Sequence, residues 1–208
     1  EMFAFEAHTN TVRAMEAALV GIGIAFEPGT AYYVPLGHES GKQLLIEDVI
    51  PKIKALLQRQ QSTLIGHNLN FALTHLSNYG ISPTSVCVGF DSMIAAHLLG
   101  EKSLGLKQLA FTRLNIELKA LSDITGTGKK QLGFDAVPIT DAAEFACANV
   151  NAILALKEPF TVELERDGLT SFNRDYSMPL IPVLVQLQVN GISLDSSVLA
   201  EMDKEIVV

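Results

Sequence analysis

Three short segments contain the residues whose types and spacing could support chemistry: Phe3–Thr9, Gly66–Ala72 and Phe145–Asn151. In the first segment Glu6 and His8 stand two residues apart, which places a carboxylate and an imidazole on the same side of a strand. An imidazole nitrogen suits zinc better than magnesium. Two ligands do not make a zinc site, however, so this pair by itself predicts no metal centre.

The other two segments carry polar groups without charge. Asn68 precedes a helix expected from about Leu69 to Asn78, and Asn149 lies in a helix expected from Thr140, as its N-cap, to Lys157. Because residues four apart on a helix share a face, Phe145 and Asn149 are expected on one side of that helix. One strand and two helices must therefore converge if the three segments form one site.

Together the three segments resemble the exonuclease motifs of the proofreading domain in bacterial DNA polymerase I, of family A. That family has D-x-E in the first motif, N-x-x-x-D in the second and Y-x-x-x-D in the third. Asn68 matches the asparagine of the second motif and is the expected substrate-binding residue. The remaining motif positions are degenerate: the four carboxylate positions hold Glu6, His8, Ala72 and Asn149, and the tyrosine position holds Phe145.

The resemblance implies a nuclease chemistry that this chain is poorly equipped to perform. In the family, two divalent metals about 4 Å apart assist hydrolysis of a 3′ phosphodiester, and the tyrosine hydroxyl orients the attacking water. Magnesium and manganese prefer carboxylate oxygens, and Glu6 supplies the single carboxylate among the four motif positions. We therefore expect no functional catalytic residue, no metal and no cofactor. Mg²⁺ or Mn²⁺ is implied only if the exonuclease is active.

Other ionisable residues near the motifs have ordinary explanations. Asp91, at the end of a strand, is expected to cap the following helix rather than to bind a stray metal. His67 and His75 show no ligand spacing and are expected to be polar or core histidines. Lys129 and Lys130 form a basic loop that could contact phosphate, although a solvated loop is the ordinary interpretation.

The order of the hydrophobic segments predicts the fold class. Three strands with short links come first, two further strands then alternate with helices, and helices alone follow. This order predicts an α/β fold with a mixed five-stranded sheet flanked by helices and a C-terminal helical segment. It matches the ribonuclease H-like exonuclease fold that the resemblance implies.

The last part of the chain resembles a second region of the same polymerase family. Met178–Leu184 and Val189–Asp195 are similar to the start of the polymerase region, which leads into the thumb. The predicted organisation is an exonuclease-like domain over 1–158, a helical connector over 159–175 and the truncated start of the polymerase region over 176–208. Both ends of the chain are expected to be cut ends of something longer.

The composition fits a cytoplasmic protein that either takes its DNA affinity from a neighbour or never touches DNA, and the charge does not separate these two. Of 208 residues, 48% are hydrophobic and 18% are charged, and the formal net charge is −8. Proteins that hold DNA through its phosphates are usually basic, so tight independent DNA binding is not expected. Cys87 and Cys147 lack metal-ligand spacing and are expected to be reduced packing residues. The expected partners are the rest of the polymerase chain and DNA, as a single-stranded 3′ end or template–primer, with no membrane.

Several interpretations of these patterns stay open. The leading one is an inactive, structural exonuclease-like domain of a DNA polymerase I. The main alternative is an active metal-dependent 3′–5′ exonuclease that removes mispaired 3′ nucleotides with Glu6 and Asp91 or Asp141. An engineered exonuclease-dead protein is a less simple explanation because every motif is altered. A stand-alone binding module leaves the polymerase-like segment without explanation.

Overall fold

A mixed five-stranded sheet forms the centre of the computed structural model, which describes residues 2–128 and 131–206. The predicted phosphate contact of Lys129 and Lys130 therefore lies outside the described residues. The strands are β1 (Met2–Thr9), β2 (Leu19–Glu27), β3 (Thr30–Pro35), β4 (Thr63–Gly66) and β5 (Val88–Asp91). They are ordered β3-β2-β1-β4-β5, with the first three antiparallel and β1, β4 and β5 parallel. The sequence-based prediction of the fold class is confirmed.

Helices cover both faces of the sheet. They are α1 (Ile46–Leu57), α2 (Leu69–Ser77), α3 (Ser92–Leu98), α4 (Leu106–Leu114), α5 (Leu121–Thr125), α6 (Ile139–Arg166), α7 (Thr170–Phe172), α8 (Met178–Asn190) and α9 (Ser196–Ile206). Short 3₁₀ turns span Pro83–Ser85 and Phe134–Ala136, and a π-helical turn, Asn173–Ser177, joins α7 to α8.

The alternation of side chains along β1 divides the core into two layers. Phe3 and Phe5 point to one face and pack with residues of α1, α2 and α8, whereas Ala4 points to the other face and packs with residues of α3, α4 and α6. This is the period-two pattern of a strand that is covered on both sides. By the same alternation Glu6 and His8 point to the face of Ala4, where they meet Asn149 and Phe145 of α6.

Glycines on β2 create space beside those polar residues. Gly23 pairs with Glu6 and Gly21 pairs with His8. A Cβ at Gly21 would lie 2.0 Å from the Tyr33 hydroxyl, and a Cβ at Gly23 would lie 3.0 Å from a Val150 methyl group of α6. The two glycines therefore let the Tyr33 side chain and helix α6 approach the strand that carries Glu6 and His8.

Helix α6 is longer than the sequence pattern indicates. It begins at Ile139 with Pro138 as N-cap, so the prediction of Thr140 as the capping residue is wrong. It also continues beyond Lys157 to Arg166, with Pro159 inside the helix, because its buried face keeps its helical spacing past the proline. By length and composition alone α6 is the one helix in the described part of the chain that could cross a membrane, but it packs against the sheet as a core helix.

The two cysteines differ in their surroundings. Cys147 lies in α6 and is half-buried, whereas Cys87 is exposed immediately before β5. The expectation that Cys87 is a packing residue is therefore wrong. Neither cysteine forms a disulfide bond in the structure.

Candidate active-site cleft

The C-terminal end of β1 opens into a cleft of about 740 Å³. Glu6 and His8 lie on its floor, and the loop that follows β1 forms one wall. The opposite wall comes from α5, the 3₁₀ turn at Phe134 and helix α6 at Phe145. The structure therefore brings the first and third motif segments together, as the resemblance implies.

His8 is enclosed by aromatic rings. Its imidazole stacks on Phe134 with ring centroids 4.9 Å apart and an interplanar angle of 12°, and it meets the rings of Phe145 and Tyr33 edge-on at 5.9 and 6.0 Å. Burial is the main cause that lowers the pKa of His8 from 6.5 to about 3, and repulsion from nearby His38, when that ring is protonated, lowers it further. The His8 imidazole is therefore neutral at physiological pH, which is its cheaper form in an apolar enclosure.

A hydrogen-bond relay supports this enclosure from behind. The His38 Nδ1–H donates to the carbonyl oxygen of Val137 at 2.9 Å, which in the neutral ring leaves Nε2 as an acceptor. The Tyr33 hydroxyl donates to that Nε2 at 2.7 Å. Burial raises the pKa of Tyr33, so the phenol stays protonated and keeps this donor role.

Glu6 is the one motif carboxylate, and its neighbours are neutral. The Asn149 amide Nδ2 donates to Glu6 Oε1 at 3.4 Å, and His8 Nε2 lies 3.4 Å from Glu6 Oε2. Burial raises the pKa of Glu6 from 4.5 to about 7, while the hydrogen bond from Asn149 acts in the opposite direction. Because His8 is uncharged, the contact between Glu6 and His8 is not a salt bridge.

Asp91 fastens two helices to the end of the sheet. Its carboxylate accepts hydrogen bonds from the backbone N–H groups of Asn68, Leu69, Met93 and Ile94, at 3.2, 2.6, 2.9 and 3.3 Å. The side chain therefore serves the N-termini of both α2 and α3, and the predicted N-cap role is confirmed. Sequence reasoning missed the contact with α2, because a cap pattern indicates only the helix that follows it.

The second motif segment forms a smaller cavity of about 320 Å³ beside the cleft. Asn68 and Ala72 line it together with Glu6, and Ala72 contributes only a methyl group where the family has an acid. Asn68 is exposed, precedes α2 and has a left-handed backbone with φ of 58°. The hydrogen bond from its backbone N–H to Asp91 supports this conformation. Asn68 thus lines this smaller cavity, which shares Glu6 with the larger cleft.

His67 and His75 have partners within the fold. The Ser92 hydroxyl donates to the Gly66 carbonyl oxygen, so the His67 Nδ1–H donates to Ser92 Oγ at 2.9 Å. His75 is buried and donates through Nδ1 to the carbonyl oxygen of Ala14 at 3.1 Å. Burial lowers the pKa of both histidines. They therefore act as neutral polar links within the fold.

The donors in the cleft do not fit a pair of magnesium ions. Within residues 2–128 and 131–206, no group of three or more His, Cys, Asp or Glu side chains is arranged to hold a metal ion. Phe145 supplies no hydroxyl, and Asn149 supplies a neutral amide. A site for two hard dications needs several carboxylate oxygens, and this cleft provides one carboxyl group.

Comparison with known proteins relates the chain to bacterial DNA polymerases. The family described as 3′–5′ exonuclease matches residues 1–165. DNA polymerase I of Chloroflexus aurantiacus is 34% identical over 97% of this chain and 21% of its own length. The Pseudomonas aeruginosa enzyme is 30% identical over 99% of this chain and 23% of its own length. The chain thus spans about a fifth of the length of these relatives.

Solved structures share the fold at lower sequence identity. The POL domain of Pol1 from M. smegmatis, in complex with DNA primer-template and dNTP, has a TM-score of 0.75 at 21% identity and covers 99% of this chain and 31% of that one. Brucella melitensis NrnC bound to pGG has a TM-score of 0.71 at 22% identity and covers 91% of this chain and 85% of that one. With its motif segments gathered around one cleft and a family match over most of its length, the chain belongs to the 3′–5′ exonuclease domains of DNA polymerase I.

Proposed function

We propose that this domain is catalytically inactive and has a structural role in a DNA polymerase I. The observation that carries the proposal is the environment of Glu6, the one carboxyl group left at the four acid positions of the motifs. Its neighbours are a neutral imidazole and a neutral amide, and burial raises its pKa to about 7. Such a group holds little of the negative charge that a pair of Mg²⁺ or Mn²⁺ ions requires.

The alternative, an active exonuclease, needs acids from outside the motifs. Asp91 is one candidate, but its carboxylate is buried and accepts hydrogen bonds from four backbone N–H groups. Asp141 is exposed in the first turn of α6 and does not line the cleft. Neither side chain is available to complete a metal pair with Glu6, which favours the inactive domain.

The remaining features fit a domain that works within a longer polymerase. The net charge of −8 disfavours independent DNA binding, so DNA contact is assigned to the intact enzyme, as a single-stranded 3′ end or template–primer. The partner of this domain is the rest of the polymerase chain, beginning at residue 176, and its location is the cytoplasm without a membrane contact. Asn68 is the residue assigned to any strand that enters the cleft.

The test is a trimming assay on a 5′-labelled single-stranded oligonucleotide, first in magnesium and then in manganese. We expect the wild-type chain to shorten the oligonucleotide no more than the Glu6→Ala variant does. Glu47→Ala, an exposed acid on α1, is the matched control for loss of one carboxylate. Trimming that Glu6→Ala abolishes and Glu47→Ala preserves would establish the alternative instead.

A further inference from the structure

The loop that follows β1, over residues 10–18, forms one wall of the cleft, and we call it the wall loop. Its first residues, Asn10 to Val12, line the cleft. Its ends are joined by a hydrogen bond from the Ala18 N–H to Asn10 Oδ1 at 2.9 Å. Because most of its side chains are exposed, the wall loop buries little apolar surface of its own and depends on other elements to keep its position.

The C-terminal end of helix α2 supplies the contacts that fix the wall loop. The Nδ1–H of the buried His75 donates to the Ala14 carbonyl oxygen at 3.1 Å, and Asn78 Nδ2 donates to the same oxygen at 3.0 Å. Where the loop joins β2, the Leu19 N–H donates to the Tyr79 hydroxyl at 3.0 Å. The end of α2 therefore holds the wall loop at its middle and at its exit.

The same helix packs against α8. Its leucines belong to one core cluster with Ile181 and Val185 of α8, which are 2% and 0% exposed. The Thr74 hydroxyl of α2 also donates to Gln188 Oε1 of α8 at 2.6 Å. Helix α8 lies outside residues 1–165, the part of the chain that matches the exonuclease family. Helix α2 thus stands between a cleft wall on one side and the following region of the chain on the other.

We propose that α2 couples α8 to the cleft, so that the packing of α8 keeps the wall loop in place. The buried face of α8 holds α2, and the end of α2 holds the loop. When the packing of α8 is loosened, α2 and the wall loop open together as one local unit. The region after the exonuclease-like domain then controls how open the cleft is. This coupling goes beyond the inactive domain proposed above, because it holds whether or not the cleft cleaves DNA.

The test is trypsin digestion of the purified, folded chain. Arg13, which is exposed in the wall loop, is the first lysine or arginine of the sequence, so cleavage after it releases residues 1–13 for detection by mass spectrometry. Lys157, in the middle of α6, is the reference site for unfolding of the whole chain. At low trypsin concentration each cleavage rate follows the population of the open form. In the wild type we expect cleavage at Arg13 to be at least ~10-fold faster than at Lys157, because opening one unit needs less than full unfolding.

Two valines of α8 form a matched pair for this assay. Val185 is buried and packs in the cluster with α2, whereas Val183 is 51% exposed on the same helix. Val185→Ala is expected to accelerate cleavage at Arg13 by at least ~10-fold, because it removes packing between α8 and α2. Val183→Ala should leave this rate within about two-fold of wild type.

A variant in the other core layer separates local from global opening. Ile153 of α6 is buried in the cluster that contains Ala4 and residues of α3 and α4. Ile153→Val is expected to accelerate cleavage at Lys157 about 2–10-fold, because it weakens the whole fold. It should leave cleavage at Arg13 within about two-fold of wild type, because this part of the core stays packed when the wall loop opens.

Three outcomes overturn the proposal. If Val185→Ala accelerates cleavage at Lys157 but not at Arg13, the wall loop opens without α8. If Arg13 and Lys157 are cleaved at equal rates in the wild type, or if Ile153→Val accelerates both equally, the loop opens only with the whole fold.

A second pair keeps the test decisive if Val185→Ala fails to fold by circular dichroism. Gln188→Ala removes the acceptor of the Thr74 hydroxyl and should accelerate cleavage at Arg13 about 2–10-fold. Gln186→Ala, on the same helix, is its control and should leave the rate unchanged, since its side chain bonds only to Asn190 in the described structure. No acceleration by Gln188→Ala would then overturn the coupling. The trimming assay is independent of these results, because it measures cleavage of DNA rather than opening of the wall loop.

Discussion

His8 illustrates how a motif position can keep its place in a fold while its chemistry changes. The side chain stacks on Phe134 and is 7% exposed, so its surroundings select an aromatic, uncharged group. Returning the acid of the family, His8→Glu, should destabilise the protein by about 1–3 kcal/mol, because a carboxyl group would be buried among three rings. Urea denaturation measures this change. His8→Phe is the control and should lower the free energy of unfolding by less than ~1.5 kcal/mol. If His8→Glu is as stable as the wild type, the side chain at position 8 is not buried among these rings.

Glu6 should make stability depend on pH in a particular direction. Its pKa is about 7 in the folded protein and 4.5 as the ordinary value, so the folded state holds the proton more tightly than the unfolded state. The free energy of unfolding therefore falls as pH rises from about 4.5 to 7, and above that range it stays lower by the full amount. Glu6→Gln removes this loss, so the variant should gain stability relative to wild type across this window in metal-free buffer. His8 titrates in both proteins, so the difference isolates Glu6; a difference that does not change with pH would contradict the assignment.

At the scale of elements, Asp91 holds the second motif segment in place. The N-termini of α2 and α3 share its carboxylate, which accepts four backbone N–H groups. Asp91→Ala should cost about 2–4 kcal/mol of unfolding free energy, because the caps of two helices are lost together. Asp203→Ala, an exposed aspartate on α9, should change stability by less than ~0.5 kcal/mol. Chemical denaturation compares the two, and a loss under ~1 kcal/mol for Asp91→Ala would mean that one helix at most depends on it.

At the scale of the whole molecule, helix α8 has one face in the core and one face in solvent. Ile181 is 2% exposed and packs with α2, whereas its neighbour Leu180 is 50% exposed. Ile181→Ala should therefore cost about 2–5 kcal/mol, and Leu180→Ala should stay within ~0.5 kcal/mol. Thermal or urea unfolding of the two variants measures this contrast. Similar losses for both would show that α8 does not pack as described.

The exposed face of α8 continues as an apolar stripe along the helical C-terminal segment. Its exposed members are Phe172, Tyr176, Leu180, Val183 and Leu187, spaced three or four residues apart. This spacing places them along one side of the helix. The stripe is consistent with the proposal that the segment from residue 176 begins the polymerase region, where further chain would cover it.

Local patterns along the chain are enough to predict most of the helices and strands and the chemical types at the motif positions. Alternation along β1 and helical spacing along α2 and α6 predict which residues share a face, because these periods are properties of the backbone. The loss of acids at positions 8, 72 and 149 can likewise be read directly from the chain. The short helix α5 and the turn at Phe134 were not predicted, because such short elements have no periodic pattern to reveal them.

Which of these residues meet depends on how the elements pack in three dimensions. Glu6 and Asn149 are 143 positions apart, and their contact depends on α6 packing across Gly23 of β2. The same packing closes Phe134 and Phe145 around His8 and leaves its Nε2 facing Glu6 without a partner. Asp91 reaches α2 for the same reason, since β4 and β5 lie side by side in the sheet. Such contacts arise from long-range packing, which local spacing along a chain does not encode.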